Sequence, residues 1–377
     1  MERLSNLFGL DRDALRSLFE GLGEPAYRAQ QVYSWLYAKR VPSIDRMTDL
    51  PKALRERLAA GHVVRWPEVM ERALSNDGTV KYLFDLDDGA TIESVFIPED
   101  RRRTICISTQ AGCPLKCAFC LTGIGGYKRN LKPWEILGQV AVVMADGGLG
   151  GDRKAPPLDE ARGIRFRAPN DAPPEQMPWN VVIMGMGEPL LNYDATVASL
   201  RILMDPGGFA ISPRRLTLST VGILPALEKL MLEPVRPNLA ISLHASNKAL
   251  RRELMPIEEK YAMEDVIAAA QRYPIPSGGV VTYEYVLLGG VNDTMGHARQ
   301  LMRLLHGSRS KVNLIPLNPA PEIPFAPPTP AAVEAFRRVL ADADLMVSVR
   351  RPRGQDILAA CGQLHLKREA APAPVAS

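Results

Sequence analysis

The sequence predicts an α/β protein, a partial (β/α)6 barrel preceded by a small helical domain and joined to it by a β-hairpin. Three observations carry this. From Thr104 onward, short apolar runs alternate with stretches of helical periodicity, an order that specifies a parallel sheet with right-handed crossovers. Before about residue 60, apolar positions recur at helical spacing, and between 79 and 97 the period changes to two. The chain has 377 residues, 46% of them apolar and 23% charged, enough for two or three domains with a full core. Disordered, collagen-like and disulfide-scaffold classes are thereby excluded.

In chain order, short helices are expected around Leu4, Leu7 and Phe8, around Leu15, Leu18 and Phe19, and around Val32, Trp35 and Leu36. Val80, Tyr82, Phe84 and Leu86 alternate before Asp87-Asp88-Gly89, a turn signal leading into a second strand over 91–97. Barrel strands are expected at 104–108, 181–185, 216–219, 239–243, 280–287, 312–315 and 346–349. Helices fall between them at 133–144, 194–203, 225–230, 248–254, 264–272, 294–305 and 331–341. Residues 147–178, glycine-rich, then charged and proline-bearing, break the rhythm and read as an exposed loop insertion. The division expected is a helical accessory domain at 1–60, a hairpin linker at 61–98, a core at 99–352 and a C-terminal segment at 353–377. The tail from Ala370 is small residues and proline, expected to be disordered. In a sheet of this type, ligands bind at the C-terminal ends of the strands.

Basic residues exceed acidic ones by 46 to 42, a net charge of +4. No apolar run approaches the roughly 18 residues that cross a bilayer, and the charged start, with Glu2, Arg3, Asp11, Arg12 and Asp13, has no signal core. The chain reads as an unprocessed cytoplasmic protein without a membrane partner, and a monomer is expected. Of five cysteines, Cys106, Cys113, Cys117 and Cys120 fall within fifteen residues and Cys361 lies near the C-terminus. Such crowding points to metal or catalysis over disulfides.

Cys113, Cys117 and Cys120 form C-x3-C-x2-C just after an expected strand. Structural zinc wants four ligands, and no fourth Cys or His lies at finger-like spacing, His62 and His244 being the nearest histidines. Three thiolates suit a 4Fe-4S cluster one ligand short of its usual four, which leaves an iron open. Gly187, Glu188 and Pro189 follow a strand, where glycine permits close backbone approach and a carboxylate can accept from an ammonium group. Ser219, Ser242, His244 and Asn318 sit at or just past strand ends, though each taken singly is as readily a helix cap or turn residue.

The cysteine spacing resembles the signature of the radical S-adenosylmethionine (SAM) superfamily. Further motifs narrow the resemblance: Glu93 in IESVFIP, Cys106 in ICISTQAGCPLKCAFC, then GMGEPLLN, LSTVG, ISLHA, NLIPLNP and RGQDILAACGQL. Together, in this order, they resemble the RlmN family of RNA adenine C2-methyltransferases, up to about Leu364. The resemblance implies that Cys113, Cys117 and Cys120 hold one 4Fe-4S cluster whose open iron binds SAM. It makes Gly187, Glu188, Ser219, Ser242, Leu243, His244 and Asn318 the SAM contacts. It makes Cys361 the acceptor of a methyl group from a first SAM, while a second SAM yields the radical that activates that methyl, two SAM per turnover. Cys106 is then the thiol that resolves the adduct as a disulfide with Cys361, and Glu93 the base that takes the C2 proton. Glu93 shares a strand face with Val95 and Ile97, where partial desolvation would raise its basicity; without the resemblance it reads as an edge-strand residue facing solvent.

The implied partners are ribosomal RNA at the peptidyl-transferase centre, the tRNA anticodon loop and an electron donor such as flavodoxin. Basic residues at Arg101–Arg103, Lys128-Arg129, Arg214-Arg215, Arg251-Arg252 and Arg350-Arg351 with Arg353 are candidates for RNA phosphates, or simply solvated groups. Lys39-Arg40 beside Tyr33, Trp35 and Tyr37 resembles an RNA-binding accessory module. Two rivals stand: a Cfr-type enzyme acting at C8 of the adenine with the same machinery, and a non-catalytic RNA-binding protein whose cysteines hold a structural metal. The insertion is longer than the family pattern suggests, and Asn318 sits in an unusually proline-rich loop.

Overall fold

The computed structural model describes residues 4–99, 102–147, 178–276 and 278–365. Nearly all of the expected insertion and the whole small-residue tail lie outside the described residues. Among them, no helix is long and apolar enough to cross a membrane.

The first strand, β1 (Ser5–Asn6), pairs in parallel with β2 (His62–Val63). A helix was expected around Leu4 to Phe8, and Asn6 explains the difference. Its side-chain oxygen accepts from Phe8 N and Arg65 N, and its amide donates to Arg65 O, so a local side-chain network displaces the helical one. Helices follow as expected: α1 (Arg12–Gly21), capped by Asp11, α2 (Ala26–Tyr33), continued by a π-helical turn Ser34–Ala38, and α3 (Lys52–Gly61). Leu15, Phe19, Val32, Tyr33, Leu36 and Tyr37 form their core. The module docks on the larger body through Asp205, whose carboxylate accepts from Arg12 Nη2 at 2.8 Å and from Tyr33 Oη at 3.0 Å.

The larger body is one ten-stranded sheet. Its antiparallel part is β3 (Glu68–Leu74), β4 (Val80–Asp85) and β5 (Thr91–Glu99), the last paired to β6 (Arg102–Cys106). Short strands β7 (Gln110–Gly112) and β8 (Tyr127–Asn130) make a separate ribbon. The parallel part runs β6, β9 (Trp179–Ile183), β10 (Leu216–Thr220), β11 (Asn238–Ser242), β12 (Val281–Leu287), β13 (Ser310–Pro316) and β14 (Met346–Val349). Between β7 and β8 lies α4 (Leu121–Ile124). The six crossovers carry α5 (Pro133–Asp146), α6 (Tyr193–Met204), α7 (Leu224–Met231), α8 (Lys248–Leu254) with α9 (Met263–Arg272), α10 (Met295–Leu305) and α11 (Pro330–Ala341). This is the expected (β/α)6 partial barrel. The hairpin does more than connect, because β4 and β5 are hydrogen-bonded into the same sheet and β3, in which the charged Glu68, Glu71 and Arg72 break any regular alternation, extends it.

Strand alternation sorts the two faces. Ile105, Val181, Leu216, Leu218, Leu239, Ile241, Val312 and Leu314 are buried in the apolar core. Their neighbours Thr104, Asn180, Thr217, Thr282, Glu284, Asn313 and Ser348 line a cavity of about 610 Å³ inside the barrel.

Candidate active site

The loop carrying the three cysteines is shaped by backbone restrictions. Gly112 has φ +79°, and a Cβ there would lie 2.0 Å from Gly126 O, so the chain reverses at a point only glycine fits. Cys113 N then donates to Gly126 O at 2.8 Å, and Cys120 N to Cys117 O at 3.2 Å. All three cysteines line one cavity of about 170 Å³ together with Gly187, Glu188, Ser219, Ser242 and His244. Burial pushes the Cys113 thiol up to about 12 and the Cys117 thiol well above the usual range, and the nearby Cys120 adds to both. Buried thiols of this kind fit a cationic iron cluster, whose charge offsets the cost of making them thiolates. Among the described residues, no three Cys, His, Asp or Glu side chains converge as ligands of one ion would. A four-iron cluster asks for less convergence, since each thiolate binds a different iron.

His244, distant in sequence, comes to this cavity. Its backbone is left-handed at φ +58°, its Nδ1 accepts from Val286 N at 3.0 Å and Phe119 packs edge-on to its ring. Burial, with Arg251 nearby, lowers its pKa to about 3, so the ring is neutral and its proton sits on Nε2. Gly187 (φ +98°) lets the chain pass Gln110, whose Cβ would be 2.5 Å from any Cβ placed there. Glu188 accepts from Leu190 N, Thr220 Oγ1 and Val221 N at 2.7–3.0 Å, yet burial still raises its pKa to about 7. Ser219 and Ser242 hydroxyls lie 3.2 Å apart across adjacent strands. Leu243 lines neither cavity: it is fully buried, and its carbonyl accepts from Arg251.

Cys361 lines both cavities, and Cys106, at the end of β6, lines the larger one. Burial pushes the Cys106 thiol up to about 12, with the proximity of Cys361 the second cause. Arg350, read from sequence only as one of several basic residues, lines both cavities with Cys361, and the charges of Cys361, Glu284 and Cys106 raise its pKa against the effect of burial. Asn318 is not in the cysteine-lined cavity. It lines the larger one and donates from Nδ2 to the Cys361 carbonyl at 3.3 Å, while Oδ1 accepts from Gln355.

The segment bearing Cys361 is tied down at both ends. Asp356 accepts from Ser75 Oγ and Asn76 N, Asp77 from Gly354 N, and Lys81 Nζ donates to Leu358 O at 3.2 Å. Beyond the cysteine, Leu121 N and Thr122 Oγ1 of the cluster loop donate to Gly362 O and Leu364 O, and His365 N donates to Glu93 Oε2 at 3.0 Å. Glu93 is fully buried on an interior strand, not partly desolvated or facing solvent, and forms an ion pair with Lys81 at 3.0 Å.

The structure redistributes the basic candidates. Arg251 is fully buried against Glu258, and Arg103 is 5% exposed with its guanidinium over Trp179, so neither is a phosphate ligand. Arg129 is engaged by Asp88 and Glu135, Arg102 by Glu99 and Arg353 by Asp77. Arg214, Arg215 and Arg351 are exposed and line the larger cavity. Arg101 lies outside the described residues. Tyr33 and Tyr37 are core, not RNA platforms, and Lys39 sits 3.4 Å above the Trp35 ring.

Comparison with known proteins agrees with this geometry. Residues 171–302 match the radical SAM superfamily, and residues 5–64 match the ribosomal RNA large subunit methyltransferase N-terminal domain. A crystal structure of a radical SAM methyltransferase from Sphaerobacter thermophilus superposes with a TM-score of 0.83 at 39% identity, over 96% of this chain and 99% of that one. The fold is thus that of a radical SAM methyltransferase, a class that uses a 4Fe-4S cluster and SAM. A probable dual-specificity RNA methyltransferase RlmN from Gemmatimonas aurantiaca is 45% identical over 100% of this chain and 98% of its own length. The chain belongs to the RlmN family of RNA methyltransferases.

Proposed function

We propose that this enzyme methylates C2 of an adenosine in 23S ribosomal RNA and in tRNA anticodon loops, through a methylated Cys361. The observation that carries the reading is that Cys361, 241 residues beyond Cys120, lines the same cavity as the three cysteines, with Cys106 close enough for the two thiols to influence each other. Cys113, Cys117 and Cys120 would hold the cluster, and Gly187, Glu188, Ser219, Ser242 and His244 would bind SAM. With an electron from a donor such as flavodoxin, that assembly supplies a radical able to take hydrogen from a methyl group.

The chain's own residues do the rest. The Cys361 sulfur accepts a methyl group and loses its thiol proton. Once activated, the carbon it carries joins C2 of the ring, and Glu93 takes the C2 proton. Cys106, having lost its thiol proton, then attacks the Cys361 sulfur; the S–S bond forms as the S–C bond breaks, the freed carbon takes up a proton to complete the methyl group, and the one surplus electron would pass to the cluster that the three cysteines hold as the methylated base leaves. Arg350 supplies a positive charge to the cavity that both sulfurs line. Leu243 serves through its backbone and Asn318 through the Cys361 carbonyl. The helical module at 1–60 and the exposed Arg214, Arg215 and Arg351 would contact RNA phosphates, and the thiol-bearing segment from 353 works as a separate part of a monomer.

Chromatography with mass spectrometry of nucleosides from treated RNA tests this. The expected product is 2-methyladenosine; 8-methyladenosine would make the enzyme Cfr-type. Cys361→Ala is expected to abolish methylation, and Cys106→Ala to accumulate RNA-linked enzyme. An anaerobic preparation without iron would support the structural-metal rival instead.

A further inference from the structure

We propose that Lys81 is a positioning residue that couples the catalytic base to the methyl-carrying thiol, so that Glu93 and Cys361 reach their working positions together. The proposal rests on the roles given above to those two residues. Lys81 is the second residue of β4, opposite Val95 of β5, and is 8% exposed. Its alternation with Val80 and Tyr82 would turn it to solvent, yet its ammonium is enclosed and has two partners: Glu93 Oε1 at 3.0 Å and the Leu358 carbonyl at 3.2 Å. The other carboxylate oxygen, Oε2, accepts from His365 N at 3.0 Å.

Leu358 and His365 bracket Cys361, three residues before it and four after. One buried ion pair therefore grips the segment on both sides of the thiol. The grip is reciprocal. If the segment lifts, Lys81 loses a carbonyl and Glu93 loses its N–H donor, leaving a buried pair with fewer hydrogen bonds, an arrangement that burial penalises. Glu93 Oε1 accepts no hydrogen bond among the described residues, so the lysine's charge is what holds it. Glu93 lines neither cavity while the segment is docked, whereas Leu364, next to His365, does line the larger one. The segment that Lys81 helps to hold thus lies between the base and the larger cavity.

The test uses the cluster-loaded enzyme and Lys81→Met, which keeps an apolar stem and removes the charge, with Lys81→Arg as the conservative variant. Site-resolved alkylation of Cys361 by iodoacetamide, without RNA, is expected to rise about tenfold in Lys81→Met. Its kcat is expected to fall about a hundredfold with KM for RNA unchanged, and Lys81→Arg should restore both. Unchanged Cys361 alkylation would overturn the coupling, as would faster alkylation with kcat intact. Should Lys81→Met fail to fold, His365→Pro removes the N–H at the far end of the grip, and unchanged alkylation there also overturns the proposal. Glu93→Gln separates the two layers: undiminished methylation in that variant sinks the role of the base, while the alkylation result still decides the grip on the segment.

Discussion

Two buried ion pairs, one beside the parallel half of the sheet and one within its antiparallel half, are built in opposite ways. Beside the parallel half, Arg251 is fully buried and every arm of its guanidinium is used: Nη1 meets Glu258 Oε2 at 2.5 Å, Nη2 donates to Val221 O and Nε to Leu243 O. Glu258 Oε1 accepts in turn from Met263 N. Those carbonyls belong to the turns after β10 and β11, where Ser219, Ser242 and His244 face the cavity. In the antiparallel half, the Lys81–Glu93 pair leaves one carboxylate oxygen without a hydrogen bond and spends its other contacts on a separate stretch of chain. The saturated pair ties the turns after two adjacent strands together, whereas the unsaturated one ties the sheet to the segment that carries Cys361, the part that the proposal above requires to move.

The largest expected effect tests the brace. Arg251→Met strands the Glu258 carboxylate and should cost about 3–5 kcal/mol in urea unfolding. A loss smaller than that of Lys81→Met would reverse the comparison. Next is acid sensitivity at the same corner. His244 stays neutral in the fold with a pKa near 3, while the unfolded ring charges below about 6.5, so its share of stability is complete above that pH and is lost as pH falls towards 3. At pH 5 the loss should be about 2 kcal/mol, and His244→Gln should flatten the unfolding profile by that amount. Gly187→Ala forces a side chain into φ +98° and against Gln110, with an expected cost of about 1–2 kcal/mol and weaker SAM binding by equilibrium dialysis. The smallest effect belongs to the other half. Asp356→Ala removes the acceptor for Ser75 and Asn76, and should leave the unfolding midpoint in place while raising Cys361 alkylation about threefold.

What could be read from sequence divides along the same line. The expected helix at 248–254 and strand at 346–349 coincide with α8 and β14, because Asn247 caps the first and the alternating Val347 and Val349 favour the second. The cysteine triplet, Gly187, Glu188 and the strand-end serines all meet at one cavity, since a β/α repeat delivers strand ends to one place whatever its loops do. The antiparallel half offers no such rule. Lys81 occupies the polar phase of its strand, and only the arrival of 358–365 encloses it. Arg251 shows the converse: as one of a pair of arginines it reads as a phosphate ligand or a solvated group, and nothing in that pair reveals that Glu258, seven residues on, folds back to meet it in the core.

Leu358, whose carbonyl receives the Lys81 ammonium, holds a left-handed backbone at φ +52° between Gly354 at +62° and Gly362 at +83°. Glycine bears such a geometry without steric cost, but a leucine side chain adds about 1–2 kcal/mol. The segment that carries Cys361 therefore holds a strained residue at its midpoint, and the contacts of Asp356, Asp77, Lys81, Asn318, Glu93 and the cysteine loop together are what keep that strain in place.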